Sequence, residues 1–373
     1  MSRNISDTTL QLDALDGLRG FAALIVIFSH TSNAAMYFLP LLDARGIAKS
    51  GVFLFFLLSS FLLSRALIKQ GNDAFSKKAI SHYAQRRFFR IYPLYIPYLL
   101  LGLISTFIFG SLLNKDSGIP FALTAQDFLN HLFLLDGKGV TWSIAVEFKF
   151  YVVLPMVLFI SYHIRNKFNT FTELCYLFCL IFLTQVVSPQ SESLTNDSRL
   201  LPYMCIFLLG TVLAVVQCQI ESGKINKQKL KGIIPLSYFS ILILAFLTPT
   251  GASFLLGEVE YNFFHKYFIQ YAVLWSVVLL SIVNFNTKIS SLFKMKWLCF
   301  YGALSFSIYL FHPIFIAIAK KLLLNSYLSA WFVLISSTIA AYISFKLLEM
   351  PASKFKISYN KSSNTDAASS AGS

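Results

Sequence analysis

The sequence predicts an all-α fold, a polytopic membrane bundle of about ten transmembrane helices. Hydrophobic residues make up 56% of the 373 positions, charged residues only 13%, and the mean hydropathy is +0.65. A soluble domain carries roughly 25% charged residues. The apolar residues are gathered in segments of about twenty, the length that a helix needs to cross the hydrocarbon core of a bilayer. These observations exclude a soluble globular fold.

Ten apolar segments are predicted to span the membrane. Lys and Arg are concentrated in alternate loops, above all between Lys69 and Arg90. By the positive-inside rule these loops face the cytoplasm, so both termini are predicted to be cytoplasmic. The segments cover residues 17–38, 51–68, 91–113, 141–163, 170–187, 200–218, 234–250, 266–284, 297–319 and 328–348.

The rest of the chain adds one helix and two short ends. Residues 128–135, within the loop 114–140, form an apolar run too short to span, which predicts a re-entrant or interfacial helix on the outer side. Residues 1–16 are predicted to be a cytoplasmic segment and residues 17–351 a single transmembrane domain. Residues 352–373 contain many Ser and Ala residues and few apolar ones, which predicts a largely disordered cytoplasmic tail.

The composition also excludes several functions. The net charge of +14 comes from basic residues in short connections, where they set topology, so nucleic-acid binding is not indicated. The five cysteines lie in or beside predicted spans without metal-like spacing. The sequence has no phosphate-binding glycine loop and no closely spaced His and carboxylate set. We therefore expect neither a resident metal nor a bound cofactor.

Ionisable residues inside the apolar segments are the candidates for function, because charges are expensive there. Arg19 and His30 lie eleven residues apart in the first segment. At about 100° and 1.5 Å per residue they share one helix face and are about 16 Å apart. The fourth segment adds Glu147, about 9 Å along the helix from its outer end, and the ninth adds His312. We expect His30, Glu147 and His312 to meet at one level in the outer half of the membrane.

Each of these residues also has a structural interpretation. Arg19 resembles a charge that sets topology at a cytoplasmic helix end. His30 would be a packing residue if a neighbouring helix satisfies its hydrogen bonds. Glu147 would form an ion pair with Lys149 or Arg19, and His312 would mark a helix kink because a proline follows it.

Several separated motifs resemble, in the same order, those of the acyltransferase 3 family, and the resemblance extends from about Leu15 to Pro351. Two positions depart from the family pattern. Ser60 stands where glycine is usual, and Phe148 with Lys149 replaces a polar pair. The matching motifs are residues 15–20 with His30, 51–60, Arg87 with Arg90 before Tyr92 and Pro93, 142–147 with Phe150 and Tyr151, 304–313, and Glu349 with Pro351.

The resemblance implies a membrane O-acyltransferase of the bacterial inner (cytoplasmic) membrane. The implied donor is acetyl-CoA or another acyl-CoA, used as a substrate. The implied acceptor is a hydroxyl of a cell-surface glycan, such as lipopolysaccharide O-antigen or another lipid-linked polysaccharide unit. Some relatives carry a soluble domain after the membrane part, and this chain is expected to be a membrane-only member.

The resemblance and the chemistry of the side chains together give each candidate a role. Arg86, Arg87 and Arg90 would bind the phosphates of the donor, since guanidinium groups pair with phosphate bidentately. His30 would act as general base or carry the acyl group, with Glu147 orienting it. Arg19 would either hold the donor or polarise its thioester carbonyl. The remaining candidates for substrate binding are Trp142, Ser143, Tyr309 and His312.

Two other functions use the same residues. A transporter or permease would use the buried ionisable groups as a proton or anion pathway, without covalent chemistry. An acylase of a small metabolite would share the motifs and differ in its acceptor. Dependence on acyl-CoA separates the first from the enzyme, and the acceptor separates the second.

Overall fold

A computed structural model describes residues 5–40, 42–113, 118–194, 196–257, 266–322 and 325–354. These parts form fourteen α-helices, several short 3₁₀ turns and one π-helical turn, and contain no strand. The fold class predicted from composition is therefore confirmed. The helices are α1 Ile5–Asn33, α2 Ala48–Gln70, α3 Lys77–Leu113, α4 Ala125–Leu132, α5 Trp142–Lys167, α6 Thr170–Val187, α7 Met204–Glu221, α8 Ile233–Phe246, α9 Pro249–Leu256, α10 Phe268–Asn284, α11 Lys288–Phe293, α12 Lys296–Ala303, α13 Ser305–Leu322 and α14 Ser326–Ser344, which the π-helical turn Phe345–Glu349 continues.

Every predicted span overlaps at least one helix. Within the described residues, nine helices are long and apolar enough to cross a membrane, and α10 is a shorter apolar helix of 17 residues. The protein is therefore a multi-pass membrane protein. The cytoplasmic placement of the termini stays a prediction from the charge distribution.

Three boundaries differ from those predicted. The first helix begins at Ile5 and ends at Asn33, so residues 5–16 continue it rather than forming a separate segment. Helix α3 begins at Lys77 because Lys and Arg are good helix formers, which puts the arginines before residue 91 on a helix. The ninth span is two helices, α12 and α13, that meet at Leu304. Most of the predicted tail, residues 355–373, lies outside the described residues.

Glycines let α1 and α12 pack backbone against backbone. A Cβ atom on Gly20 would lie 2.1 Å from the carbonyl oxygen of Leu298, and one on Gly302 would lie 1.9 Å from that of Asp16. Gly17 makes an equally close approach to Phe293. Small residues allow such contact between membrane helices, which gain little from hydrophobic burial against one another. The contact fixes the helix position of Arg19, which lies between two of these glycines.

Helices α2 and α7 also approach closely, and Ser60 takes part in their contact. Its hydroxyl donates a hydrogen bond to the carbonyl oxygen of Phe207 and lies 3.1 Å from the hydroxyl of Thr211. The space comes from Gly210 on the partner helix, where a Cβ would lie 2.6 Å from the Leu57 oxygen. The serine that departs from the family pattern therefore preserves the approach, with the glycine on the opposite helix.

The short helix predicted in the loop 114–140 is α4. Thr124 and Asp127 form a capping box at its start, and Lys138 donates a 2.7 Å hydrogen bond to Asp127. That bond lowers the pKa of Asp127 to about 2, so its carboxyl group stays ionised at neutral pH. The His131 ring lies 2.7 Å from both the backbone nitrogen of Lys138 and the carbonyl oxygen of Asp127. The contact with Lys138 holds the following loop against α4.

Candidate active site

A cavity of about 460 Å³ lies between α1, α2, α3, α5 and α13. Along α5 it extends at least from Ser143 to Tyr151, about 12 Å. Its volume lies in the usual range for small-molecule sites. Aliphatic and aromatic side chains of α2, including Phe55, Leu58 and Leu62, form much of its wall. The polar and charged residues that line it are Arg19, Ser59, Arg87, Arg90, Ser143, Glu147, Tyr151, Ser305 and Tyr309.

Three arginines line one end of the cavity. Arg19 contacts Asp16 at 3.5 Å. Arg87 forms no ion pair within the described residues, and its buried Nε lacks a hydrogen-bond partner there. The Arg87 guanidinium lies 5.4 Å from the centre of the Tyr151 ring. Arg86, the third arginine of the predicted donor site, is exposed and does not line the cavity.

Arg90 is held by a carboxylate from the end of the chain. Its Nη1 lies 3.5 Å from Oε2 of Glu349, in the π-helical turn after α14. Glu349 is buried and also accepts a hydrogen bond from the Ser307 hydroxyl of α13. Arg90 is therefore paired with a carboxylate, whereas Arg87 has no ion pair within the described residues.

The Glu147 carboxylate is on the cavity wall rather than at His30. Tyr151 donates a 2.6 Å hydrogen bond to it, and the Tyr151 hydroxyl lies 3.3 Å from that of Ser59. The expected meeting of Glu147 with His30 is therefore wrong. The physical reason is helix register, because the residue of α5 that meets α13 is Ser143, one turn nearer the outer end than Glu147.

Two hydroxyl groups lie at the other end of the cavity. Ser143 and Tyr309 are 2.7 Å apart, and each lies within hydrogen-bond distance of the Val140 carbonyl oxygen. Both side chains are buried. This end is therefore polar and can supply a hydroxyl hydrogen bond to a ligand that reaches it.

The two histidines form a pair one helical turn beyond Tyr309. Nδ1 of His30 lies 2.7 Å from Nε2 of His312, with the rings nearly parallel and their centroids 5.0 Å apart. The Tyr309 ring centroid lies 5.9 Å from that of His312. Neither histidine lines the cavity. The structure thus brings together two of the three groups expected to meet, and Tyr309 lies between them and the cavity.

Trp142 does not line the cavity either. It is 3% exposed and packs against Phe56 and Tyr203. The Lys49 ammonium lies 3.8 Å from the centre of its ring and donates a hydrogen bond to Asn196. The geometry therefore opposes the predicted role of Trp142 in substrate binding, since other side chains cover its ring.

Four polar residues of the site, Ser59, Tyr151, Ser305 and Glu349, were not among the predicted site residues. Tyr151 and Ser59 line the cavity, and Glu349 holds Arg90. Tyr151 stands one helical turn after Glu147, a spacing that brings side chains into contact and was present in the sequence. The partnership of Arg90 with Glu349 joins residues 259 positions apart and had no local signal. No group of three or more His, Cys, Asp or Glu residues in the described ranges is placed to hold a metal ion.

Comparison with known proteins gives a consistent set of relatives. The sequence model of a family described as "Acyltransferase domain" (Acyl_transf_3) matches residues 12–348. O-acetyltransferase OatA of Staphylococcus aureus, in strains NCTC 8325 and COL, is 24% identical over 370 residues and 92% of this chain. The chain spans 57% of the length of these relatives. No solved structure matches it.

Proposed function

Since this chain belongs to the acyltransferase 3 family, we propose that it is a membrane O-acetyltransferase. It moves an acetyl group from acetyl-CoA to a hydroxyl of a glycan at the opposite face of the membrane. The relatives named O-acetyltransferase support the group transferred. The resemblance of the motifs to those of enzymes that acylate sugar hydroxyls supports the acceptor class, with a lipid-linked unit of a surface polysaccharide as the substrate.

One observation carries the proposal. A single cavity has guanidinium groups at one end, apolar walls in the middle and two hydroxyls at the other end, next to the imidazole pair. This order follows the chemistry of an acyl-CoA, which has phosphates at one end, a long narrow pantetheine arm and a thioester at the tip. A transport pathway has no need for this order of groups.

The donor binds with its phosphates at Arg87 and Arg90. Guanidinium groups form short, charge-assisted hydrogen bonds to phosphate oxygens. The thioester then lies near Ser143 and Tyr309, whose hydroxyls are within reach of its carbonyl oxygen. Hydrogen bonds to the oxygen on which negative charge develops lower the barrier to acyl transfer. His30, beyond Tyr309, accepts the proton of the attacking hydroxyl.

The proposal is tested by incubating membranes that contain the protein with acetyl-CoA labelled in the acetyl group. The label is then located in glycan, lipid and small-molecule fractions, with membranes lacking the protein as control. We expect label in a glycan fraction. Label confined to a small molecule would replace the glycan with a metabolite acceptor. If acetyl-CoA is not consumed although candidate acceptors are present, the result would contradict the acetyltransferase function and favour transport.

Arg87 has a matched control in its exposed neighbour Arg86. We expect Arg87→Gln to raise the KM for acetyl-CoA roughly ten- to a hundredfold with little change in kcat, because it removes a charged hydrogen bond made equally in the ground and transition states. Arg86→Gln changes the charge of the same helix turn outside the cavity, so its KM stays near the original. Steady-state kinetics of both variants measure these KM values. Equal KM values for acetyl-CoA in the two variants would show that Arg87 does not bind the donor.

A further inference from the structure

His30 and His312 form part of a chain of hydrogen bonds that begins at a backbone carbonyl. Nδ1 of His312 lies 3.1 Å from the carbonyl oxygen of Ile308, one turn back on the same helix. A carbonyl oxygen has no proton to give, so Nδ1 of His312 is the protonated nitrogen. His312 therefore presents Nε2 to His30.

The state of Nε2 on His312 follows from its surroundings. The side chain is 0% exposed, and no carboxylate contacts it within the parts of the chain described above. A second proton would make the ring a buried cation without a counter-charge, which is strongly unfavourable. Nε2 of His312 is therefore an acceptor, and the hydrogen bond of 2.7 Å is donated by Nδ1 of His30.

We propose that His312 is a positioning residue that holds His30 in the tautomer with Nδ1 protonated and Nε2 free. This inference rests on the proposed function. His312 then does for His30 what a buried acceptor does for the histidine of a hydrolytic triad, where the orienting group selects the tautomer and stabilises the imidazolium. The sequence motifs predict substrate binding for His312, and the geometry favours this different role.

The proton transfers balance with His30 as the base. The oxygen of the acceptor hydroxyl bonds to the acyl carbon while its proton passes to Nε2 of His30. The carbon–sulfur bond of the thioester breaks, and the departing CoA thiolate takes that proton. While His30 is charged, its Nδ1–H donates more strongly to His312, because charge-assisted hydrogen bonds are shorter and stronger. The backbone carbonyl at the far end of the chain keeps His312 from turning.

The position of the proton is measured directly by nitrogen NMR of the purified protein labelled in histidine, since the two ring nitrogens of each tautomer have distinct shifts. The chain has six histidines, and the His30 signals are those lost in His30→Ala. We expect the His30 proton on Nδ1 in the unmodified protein and a mixture of tautomers in His312→Leu. A His30 proton on Nε2 in the unmodified protein would overturn the proposal.

Kinetics separate positioning from packing. His312→Leu keeps a buried apolar side chain without an acceptor, and we expect its kcat to fall roughly 10²- to 10⁴-fold with an unchanged KM for acetyl-CoA. His312→Gln supplies an amide whose nitrogen can donate to Ile308 and whose oxygen can accept from His30, so its kcat stays within about tenfold of the original. Equal loss of kcat in both variants, or none in either, would contradict positioning.

The two proposals fail in different ways. If the unmodified protein transfers no acetyl group, the proposed function fails, yet the NMR measurement still reports which nitrogen of His30 is protonated. If transfer occurs and the His30 proton is on Nε2, the function stands and the role of His312 is rejected.

Discussion

Replacing His30 with alanine is expected to lower acetyl transfer at least about 10²-fold, equivalent to about 2.7 kcal/mol of transition-state stabilisation. The imidazole supplies the acceptor of the hydroxyl proton, and alanine has no group that replaces it. Its contacts support this role, since the His30 ring is hydrogen-bonded to a second imidazole, that of His312. The loss should appear in kcat, because the donor cavity does not include His30.

The measurement is the rate of label transfer per folded protein, with the amount of protein determined by size exclusion in detergent. His163→Ala is the matched control, because His163 is an exposed histidine of α5. The one hydrogen bond described for its ring nitrogens joins it to the carbonyl oxygen of Phe159 on the same helix. We expect full activity from the control. If His30→Ala retained substantial turnover, the base assignment and the positioning role of His312 would both be lost.

A single added side chain between α1 and α12 should have an equally large effect on folding. Gly20→Val places a Cβ where the Leu298 oxygen is 2.1 Å away, so the two helices must separate. Overpacking of a core commonly costs about 1–3 kcal/mol, and a clash with backbone atoms, which cannot turn aside, is expected to reach or exceed the upper value. We expect little folded protein, and an altered donor cavity in what remains, because Arg19, which lines the cavity, moves with the helix.

Thermal unfolding in detergent, followed by the loss of the monodisperse peak, measures this effect. Gly110→Val is the control, because Gly110 lies within α3 and a Cβ there meets no atom within 4 Å. The control should unfold near the temperature of the original protein. A Gly20→Val protein with the original unfolding temperature would show that the backbone contact is not needed for stability.

Features that depend on one stretch of sequence could be predicted, whereas features that depend on how separate helices pack together could not. Hydropathy is a local property, so the spans were found. The shared face of Arg19 and His30 follows from one helix alone, and both residues do face α13 or the cavity beside it. Glu147 was placed wrongly because its depth relative to His30 depends on how two separate helices are shifted against each other. No pattern within either helix specifies that shift.

The glycines show a second limit. Gly17 and Gly20 were recognised as part of a motif, but the reason for them lies on α11 and α12, in the backbone of Phe293 and in the carbonyl of Leu298. Likewise, the serine at position 60 fits between α2 and α7 because Gly210 on α7 leaves space for it. A residue that is small because a partner helix comes close can be explained only when that partner is known.

The hydroxyl end of the cavity bears on the energetics of the cell. Ser143 and Tyr309 line this end, and the Tyr309 ring centroid lies 5.9 Å from that of His312 in the imidazole pair. An enzyme of the proposed kind must pass an acetyl group from one side of the membrane to the other without letting ions leak down their gradients. A transporter meets this demand by opening each side in turn. In the proposed mechanism the acetyl group moves only over that short distance, so we expect the layer between the two compartments to stay intact while the acyl bond is exchanged.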